Sequence, residues 1–113
     1  MNIESISQTF KALSDPIRLR IVYLLLEKES LCVCEVVETL ELSQSTVSRH
    51  LAYLKNSGLV RSWREGIWMH YALQKEVLQI IKLSKLKLAL EETAEISDDK
   101  QKLECDVKSC STK

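Results

Sequence analysis

Glycine and proline are scarce in this 113-residue chain, at two and one, and aromatic residues make up only 5% of it. A loop-rich disulfide scaffold needs turn residues in quantity, so the four cysteines read as reduced thiols of a helical protein rather than as staples. Long hydrophobic runs are missing too. The longest, Ile21 to Leu26, falls far short of the roughly 20 residues a membrane helix requires, and no basic segment followed by an apolar one opens the chain. These absences predict a cytoplasmic protein without a membrane span. Net charge is also lacking: 16 basic and 16 acidic side chains cancel, which removes any global field as a clue to a polyanionic partner. With 45% hydrophobic residues, the length suits one compact domain with a modest core.

The charge is present but sorted. From Leu42 to Arg64 the chain carries Arg49, Lys55, Arg61 and Arg64 and no acid, whereas Glu91 to Asp106 holds seven acids against two lysines. A basic middle marks a local polyanion site. The acidic end predicts a flexible tail, 97–113, containing Cys105 and Cys110, after a folded domain spanning 1–96.

Apolar spacing places the elements. Ile3, Ile6, Phe10 and Leu13 fall on one stripe of a first helix. Asp15 caps a second, with Pro16 at its first position and Ile17, Ile21, Leu24 and Leu25 inward as far as Lys28. Val33, Val36, Val37 and Leu40 predict a third helix, and Ser43 caps a fourth from Gln44 to Asn56, ended by Gly58. The period then changes. Leu59 to Arg64 and Trp68 to Leu73 read as a β-hairpin joined across Glu65-Gly66. Lys75 to about Ala94 reads as a last helix whose apolar residues, Val77 through Leu90, spread around most of its circumference. That helix and the stripe of the first both need a covering surface, which predicts a homodimer through the first and last helices.

The predicted fold class is therefore mainly α with a small β-hairpin, in the order of a winged helix-turn-helix. On the fourth helix Val47, Leu51 and Leu54 form the inner side, leaving Ser45, Ser48, Arg49 and Ala52 outward with Gln44 and Lys55 flanking. Serine and glutamine can bond base edges or phosphates, and arginine can address guanine bidentately. On the hairpin, Arg61 and Arg64 are candidate phosphate or minor-groove contacts. Such a helix face on its own is commonly just solvated. The acid-free window covering both helix and hairpin is what favours double-stranded DNA. His50, at the edge of the apolar stripe, reads equally as a packed histidine or a phosphate contact, and His70, inside a strand, as structural.

Leu31-Cys32-Val33-Cys34-Glu35 sets two thiols at the start of the third helix. In an ideal helix residues i and i+2 point about 200° apart, whereas an extended or unwound first turn points them the same way, so a shared soft ion would act on helix geometry. The helix N-terminus is expected to favour thiolate. With no histidine close by in sequence and no C-x-x-C spacing, a thiol enzyme is not expected.

These residues resemble the ArsR/SmtB family of metal-sensing bacterial repressors over roughly Phe10 to Leu73. Leu31-Cys32-Val33-Cys34 is similar to the metal box of its arsenical and cadmium/lead branches. Leu42-Ser43-Gln44-Ser45 with Ser48-Arg49-His50-Leu51 resembles the arsenical recognition helix, and Arg64-Glu65-Gly66 with Trp68 and Tyr71 its wing. The resemblance implies a homodimer that represses a resistance operon from an inverted-repeat operator and leaves it when As(III) or Sb(III) binds cysteine thiolates. The arsenical pattern commonly has a third cysteine one turn after the second, where this chain has Val37. Cys105 or Cys110 would then complete the site with Cys32 and Cys34. The rival within the family is a four-thiolate site for Cd(II) or Pb(II). A zinc site of histidines on the last helix is discounted, since none follows His70.

Overall fold

A computed structural model describes the backbone of residues 2–111 and the side chains of residues 2–104. In chain order it contains α1 (Ile3–Leu13), α2 (Pro16–Glu27), β1 (Leu31–Cys32), α3 (Val33–Leu40), α4 (Gln44–Asn56), β2 (Val60–Glu65), β3 (Trp68–Leu73), a 3-10 turn (Val77–Ile80), α5 (Leu83–Glu91) and α6 (Ala94–Ser111). The architecture is that of a winged helix-turn-helix.

Each early boundary has a local cause. Asn2 and Ser5 form a reciprocal capping box on α1. The Asp15 carboxylate accepts from the backbone N–H of Ile17 at 2.8 Å and of Arg18 at 3.1 Å, with Pro16 in the first turn of α2. Burial alone would raise the Asp15 pKa, but these two N–H donors outweigh it and hold the carboxyl below its ordinary value. Ser43 Oγ accepts from the Thr46 N–H to start α4, and Gly58, at φ 84, ends it in a conformation other residues avoid. The hairpin turns on Gly66 (φ 63) and Ile67, a two-residue loop whose first position demands positive φ. Ile21, Leu24, Val36, Val47, Leu51, Leu54, Leu59 and Leu78 are fully buried together, so α2, α3, α4 and the hairpin share one core.

Three features differ from the sequence reading. First, Leu31–Cys32 adds a third strand: β1 pairs antiparallel with β3, giving the order β1-β3-β2. Two residues are too few to show alternation.

Second, the single helix expected from Lys75 to Ala94 is broken. Ile81 and Lys82 are extended between the 3-10 turn and α5. Leu78 and Leu83 would lie about 140° apart on one straight helix. The break re-phases the chain, so that Leu78 is fully buried while Leu83 and Leu90 also pack on the core.

Third, the segment expected to be flexible from residue 97 continues as helix. Thr93 precedes α6 and its Oγ1 accepts from the Ile96 N–H at 3.3 Å, and the helix buries Ile96, Asp99 and Leu103 against α2 and α3. The reason is a buried fork: Arg20 Nε and Nη2 donate to the two Asp99 oxygens at 2.8 and 2.9 Å, with Asp99 only 1% exposed. Lys102 adds ion pairs to Glu41 and Asp98, both at 3.0 Å. An acidic composition suggested solvation, but one of its acids is the anchor.

Candidate functional site

Two sets of residues are candidates, the outer face of α4 with the hairpin and the two cysteines at the start of α3. Val47, Leu51 and Leu54 are fully buried, which rotates Gln44, Ser45, Ser48, Arg49, Ala52 and Lys55 outward, all exposed. The side chains at the helix start are small and mutually bonded, Ser43 Oγ lying 3.2 Å from Ser45 Oγ. Arg49, Lys55 and Arg64 make no ion pair among the described residues. A cationic surface without internal acids is what a phosphate backbone requires.

Arg61 and Arg64 are three residues apart on β2 and so lie on opposite faces of the hairpin. The Arg61 guanidinium sits 4.7 Å from the Trp63 ring centroid, on the face that also carries Glu65. The structure does not bring the two arginines together. His70 stacks on Trp63 with centroids 5.8 Å apart and lies 3.3 Å from a Glu65 oxygen, the structural role the sequence suggested.

His50 does not join the outer face. It is buried, with Nδ1 3.3 Å from Arg18 Nη1. Arginine can only donate, so Nδ1 accepts and the ring proton resides on Nε2. Of its two sequence readings, the packed histidine is the one observed. Arg18 itself was missed. Its Nε donates to the Ala12 carbonyl at 2.8 Å and its guanidinium stacks 4.0 Å over the Tyr53 ring, so one side chain joins the end of α1 to the inner side of α4. Nothing in the sequence singles it out, because its partners are 6 and 32 positions away.

Cys32 occupies the N-cap of α3 with extended backbone (φ −84, ψ 162), while Cys34 lies in the first turn. That step from strand to helix turns the two side chains the same way, and their sulfurs are 2.6 Å apart. Glu35 Oε1 accepts from the Cys32 N–H at 2.9 Å and holds the cap. Burial pushes the Cys32 thiol pKa up, partly offset by the Glu35 backbone N–H, while the Glu35 carboxylate raises it further. The expected thiolate-favouring helix end is therefore outweighed at this residue. Among the described residues no cluster of three histidine, cysteine, aspartate or glutamate side chains suited to a metal ion is formed. The thiols of Cys105 and Cys110 lie outside the described residues.

Ile3, Phe10 and Leu88 are 78%, 54% and 63% exposed, on α1 and α5, the helices whose apolar residues the sequence reading assigned to a second copy. No helix among the described residues is long and apolar enough to cross a membrane.

A family model described as bacterial regulatory protein, arsR family, matches residues 15–62. The chain is 43% identical over 81 residues to MJ1325 of Methanocaldococcus jannaschii, named an uncharacterized HTH-type transcriptional regulator, covering 71% of this chain and 91% of that one. It is 47% identical over 70 residues to the arsenical resistance operon repressor of Escherichia coli, covering 62% of this chain and 60% of the repressor. To the cadmium resistance transcriptional regulatory protein CadC homolog of Staphylococcus aureus it is 41% identical over 75 residues, covering 66% and 62%. The chain thus spans less than two thirds of the length of these last two relatives. Among solved structures, HlyU from Vibrio cholerae superposes with a TM-score of 0.64 at 34% identity, covering 79% of this chain and 94% of HlyU.

Proposed function

The chain belongs to the arsR family of bacterial regulatory proteins, and from that premise we propose that it is a metalloid-responsive repressor of the cytoplasm. Its class is a DNA-binding transcriptional regulator and not an enzyme. In this reading a homodimer, joined through α1 and α5, presents two copies of α4 to an inverted repeat, with Gln44, Ser45, Ser48, Arg49 and Lys55 at the major groove. A wing arginine, Arg61 or Arg64, reaches the adjacent backbone. As(III) or Sb(III) binds Cys32 and Cys34, with Cys105 or Cys110 as third ligand, and the dimer leaves its operator.

The observation that carries this reading is the pair of sulfurs 2.6 Å apart at the cap of α3, a helix packed directly on α4. A soft trivalent ion suits such thiols. Holding both constrains the first turn of α3 and, through it, the setting of α4. A second reading is favoured by the likeness to the cadmium regulator: four thiolates holding Cd(II) or Pb(II) tetrahedrally.

Fluorescence anisotropy of a labelled duplex from upstream of the protein's own gene, with reduced protein bound, separates them. Release by arsenite at low concentration but not by cadmium is the expected result. Release by cadmium alone moves the assignment to the divalent-metal reading, and no binding to any operator duplex refutes both.

A further inference from the structure

The hairpin ends in a residue that its turn does not call for. Gly66, at φ 63, takes the first of the two loop positions between Glu65 and Trp68, and Ile67 takes the second. Such positions are ordinarily filled by glycine, proline, asparagine, aspartate or serine, and a β-branched apolar residue there forgoes the packing its shape suits. Ile67 is 83% exposed, more than Ile3, Phe10, Ile80 or Leu88, and it lies on neither α1 nor α5. A single exposed isoleucine on an open surface is ordinary. One that overrides local turn preference, at the tip of a hairpin continuous with the DNA face, points to a contact made outside the chain.

The hairpin carries that tip at a fixed place relative to α4. Its roots, Val60 and Leu73, belong to the core, and the Leu59 N–H donates to the Leu54 carbonyl of α4 at 3.0 Å. From root to tip β2 and β3 run six residues each, about 17 Å at about 3.4 Å per residue. One turn of the duplex is about 34 Å, so the minor groove flanking a recognition helix lies about 17 Å along the axis. That groove is only about 6 Å wide. Two paired strands are already about 4.8 Å apart before side chains are added, so the ribbon cannot enter, whereas one side chain projecting from the turn can. Charge agrees with this placement. Arg64 is exposed and makes no ion pair among the described residues. The hairpin's single acid, Glu65, is held on the opposite face, accepting from Trp63 Nε1 at 3.2 Å and lying 3.3 Å from His70 Nε2.

We propose that Ile67 enters the minor groove beside the α4 contact and selects the base pairs there. This rests on the DNA-binding reading of α4 and deepens it. An apolar side chain makes no hydrogen bond to a base edge, so it discriminates by what it covers. Adenine–thymine pairs present only acceptors at the floor of the groove, whereas guanine adds its 2-amino donor. Folded structures tolerate an under-satisfied acceptor more readily than an orphaned donor, and the amino group also stands in the path of the side chain. The pairs under the wing are therefore A·T. Because the contact carries no charge, the affinity it adds does not depend on salt.

Anisotropy titrations of the full chain test this, on the duplex from upstream of its own gene, with the pairs under the wing located by hydroxyl-radical footprinting. Ile67→Ser is expected to weaken binding about tenfold, the order expected when an isoleucine side chain loses its burial, with the slope of log affinity against log salt unchanged. Ile67→Leu is expected to bind as the parent does. With the pairs under the wing set to A·T, to G·C or to inosine–cytosine, which lacks only the amino group, the parent is expected to disfavour G·C alone, by about tenfold. Ile67→Ser should not distinguish the three. Parent-like affinity of Ile67→Ser overturns the proposal, and so does a loss accompanied by a shallower salt slope, which would make the wing contact electrostatic. Equal binding of the parent to all three flanks overturns the base selection. A shift of Ile67→Ser toward monomer in sedimentation velocity would assign Ile67 to a second copy instead. Failure of the parent to bind any of these duplexes refutes the DNA-binding reading itself, a result distinct from the others.

Discussion

Cys32 sits opposite His70 across the β1–β3 ladder. The same residue is thus the last of a strand paired to the wing and the cap of the helix that packs on α4. A ligand held between the Cys32 and Cys34 sulfurs would act where the strand paired to the wing passes into the helix packed on α4.

Cys32→Ser tests the thiol pair. The variant is expected to keep operator affinity and lose release by arsenite, since the serine is small and able to cap α3 but does not ligate a soft ion. Operator anisotropy with and without arsenite checks this. Loss of DNA binding in the absence of inducer would make Cys32 a structural residue.

On the DNA face, Arg49→Ala is expected to cost on the order of 1–3 kcal/mol of specific operator affinity. Because Arg61 and Arg64 lie on opposite faces of the hairpin, only one of their alanine variants is expected to lower the salt dependence of binding, by a slope of about 1. Equal effects from both would contradict that geometry.

Charging the exposed apolar surface addresses assembly. Phe10→Lys and Leu88→Lys alter side chains already more than half exposed in the single chain, so each is expected to leave folding intact and shift a dimer toward monomer in sedimentation velocity. Operator affinity should fall with it. A variant that sediments as the parent would remove that helix from the interface.

Asp99→Asn breaks the fork that holds α6. Removing one partner of a buried pair costs about 3 kcal/mol at the low end of such cases, fitting here because Arg20 is a quarter exposed. Urea unfolding should show this loss. An unchanged midpoint would mean that α6 is held without the fork, by Ile96, Leu103 and the Lys102–Glu41 pair.

Acid sensitivity follows from Asp15. Its folded pKa lies below the ordinary value, so its contribution is present above about pH 4 and is lost as pH falls through the lowered folded value. Asp15→Asn retains a cap of similar strength at neutral pH. It should flatten the decline of stability below pH 4, measured by thermal melts across pH. A parallel decline in both proteins would assign the acid sensitivity elsewhere.

Much of the fold was legible in the sequence because its signals are local. Asp15-Pro16, Ser43 and Gly58 each act within a turn of their own position, and α1, α3 and α4 begin and end where their apolar spacing and caps direct. The features that were not legible depend on distant partners. α6 is fastened by Arg20 and Asp99, 79 positions apart, so an acidic segment looked solvated. The break at Ile81 reflects the competing demands of Leu78 and Leu83 on one core. Within the site, the outward face of α4 followed from periodicity, and the extended cap that aligns the two thiols was one of two geometries weighed. His50 could not be assigned until Arg18 was seen beside it.

The central claim is that the thiol pair and the DNA face are energetically linked, and arsenite affinity measured on protein alone and on the same protein saturated with operator tests it most directly. Linkage requires operator to weaken arsenite binding by the same factor as arsenite weakens operator binding, a coupling typically of about 1–3 kcal/mol. The account predicts weaker arsenite binding on DNA by that factor. Equal affinity in the two states would contradict it.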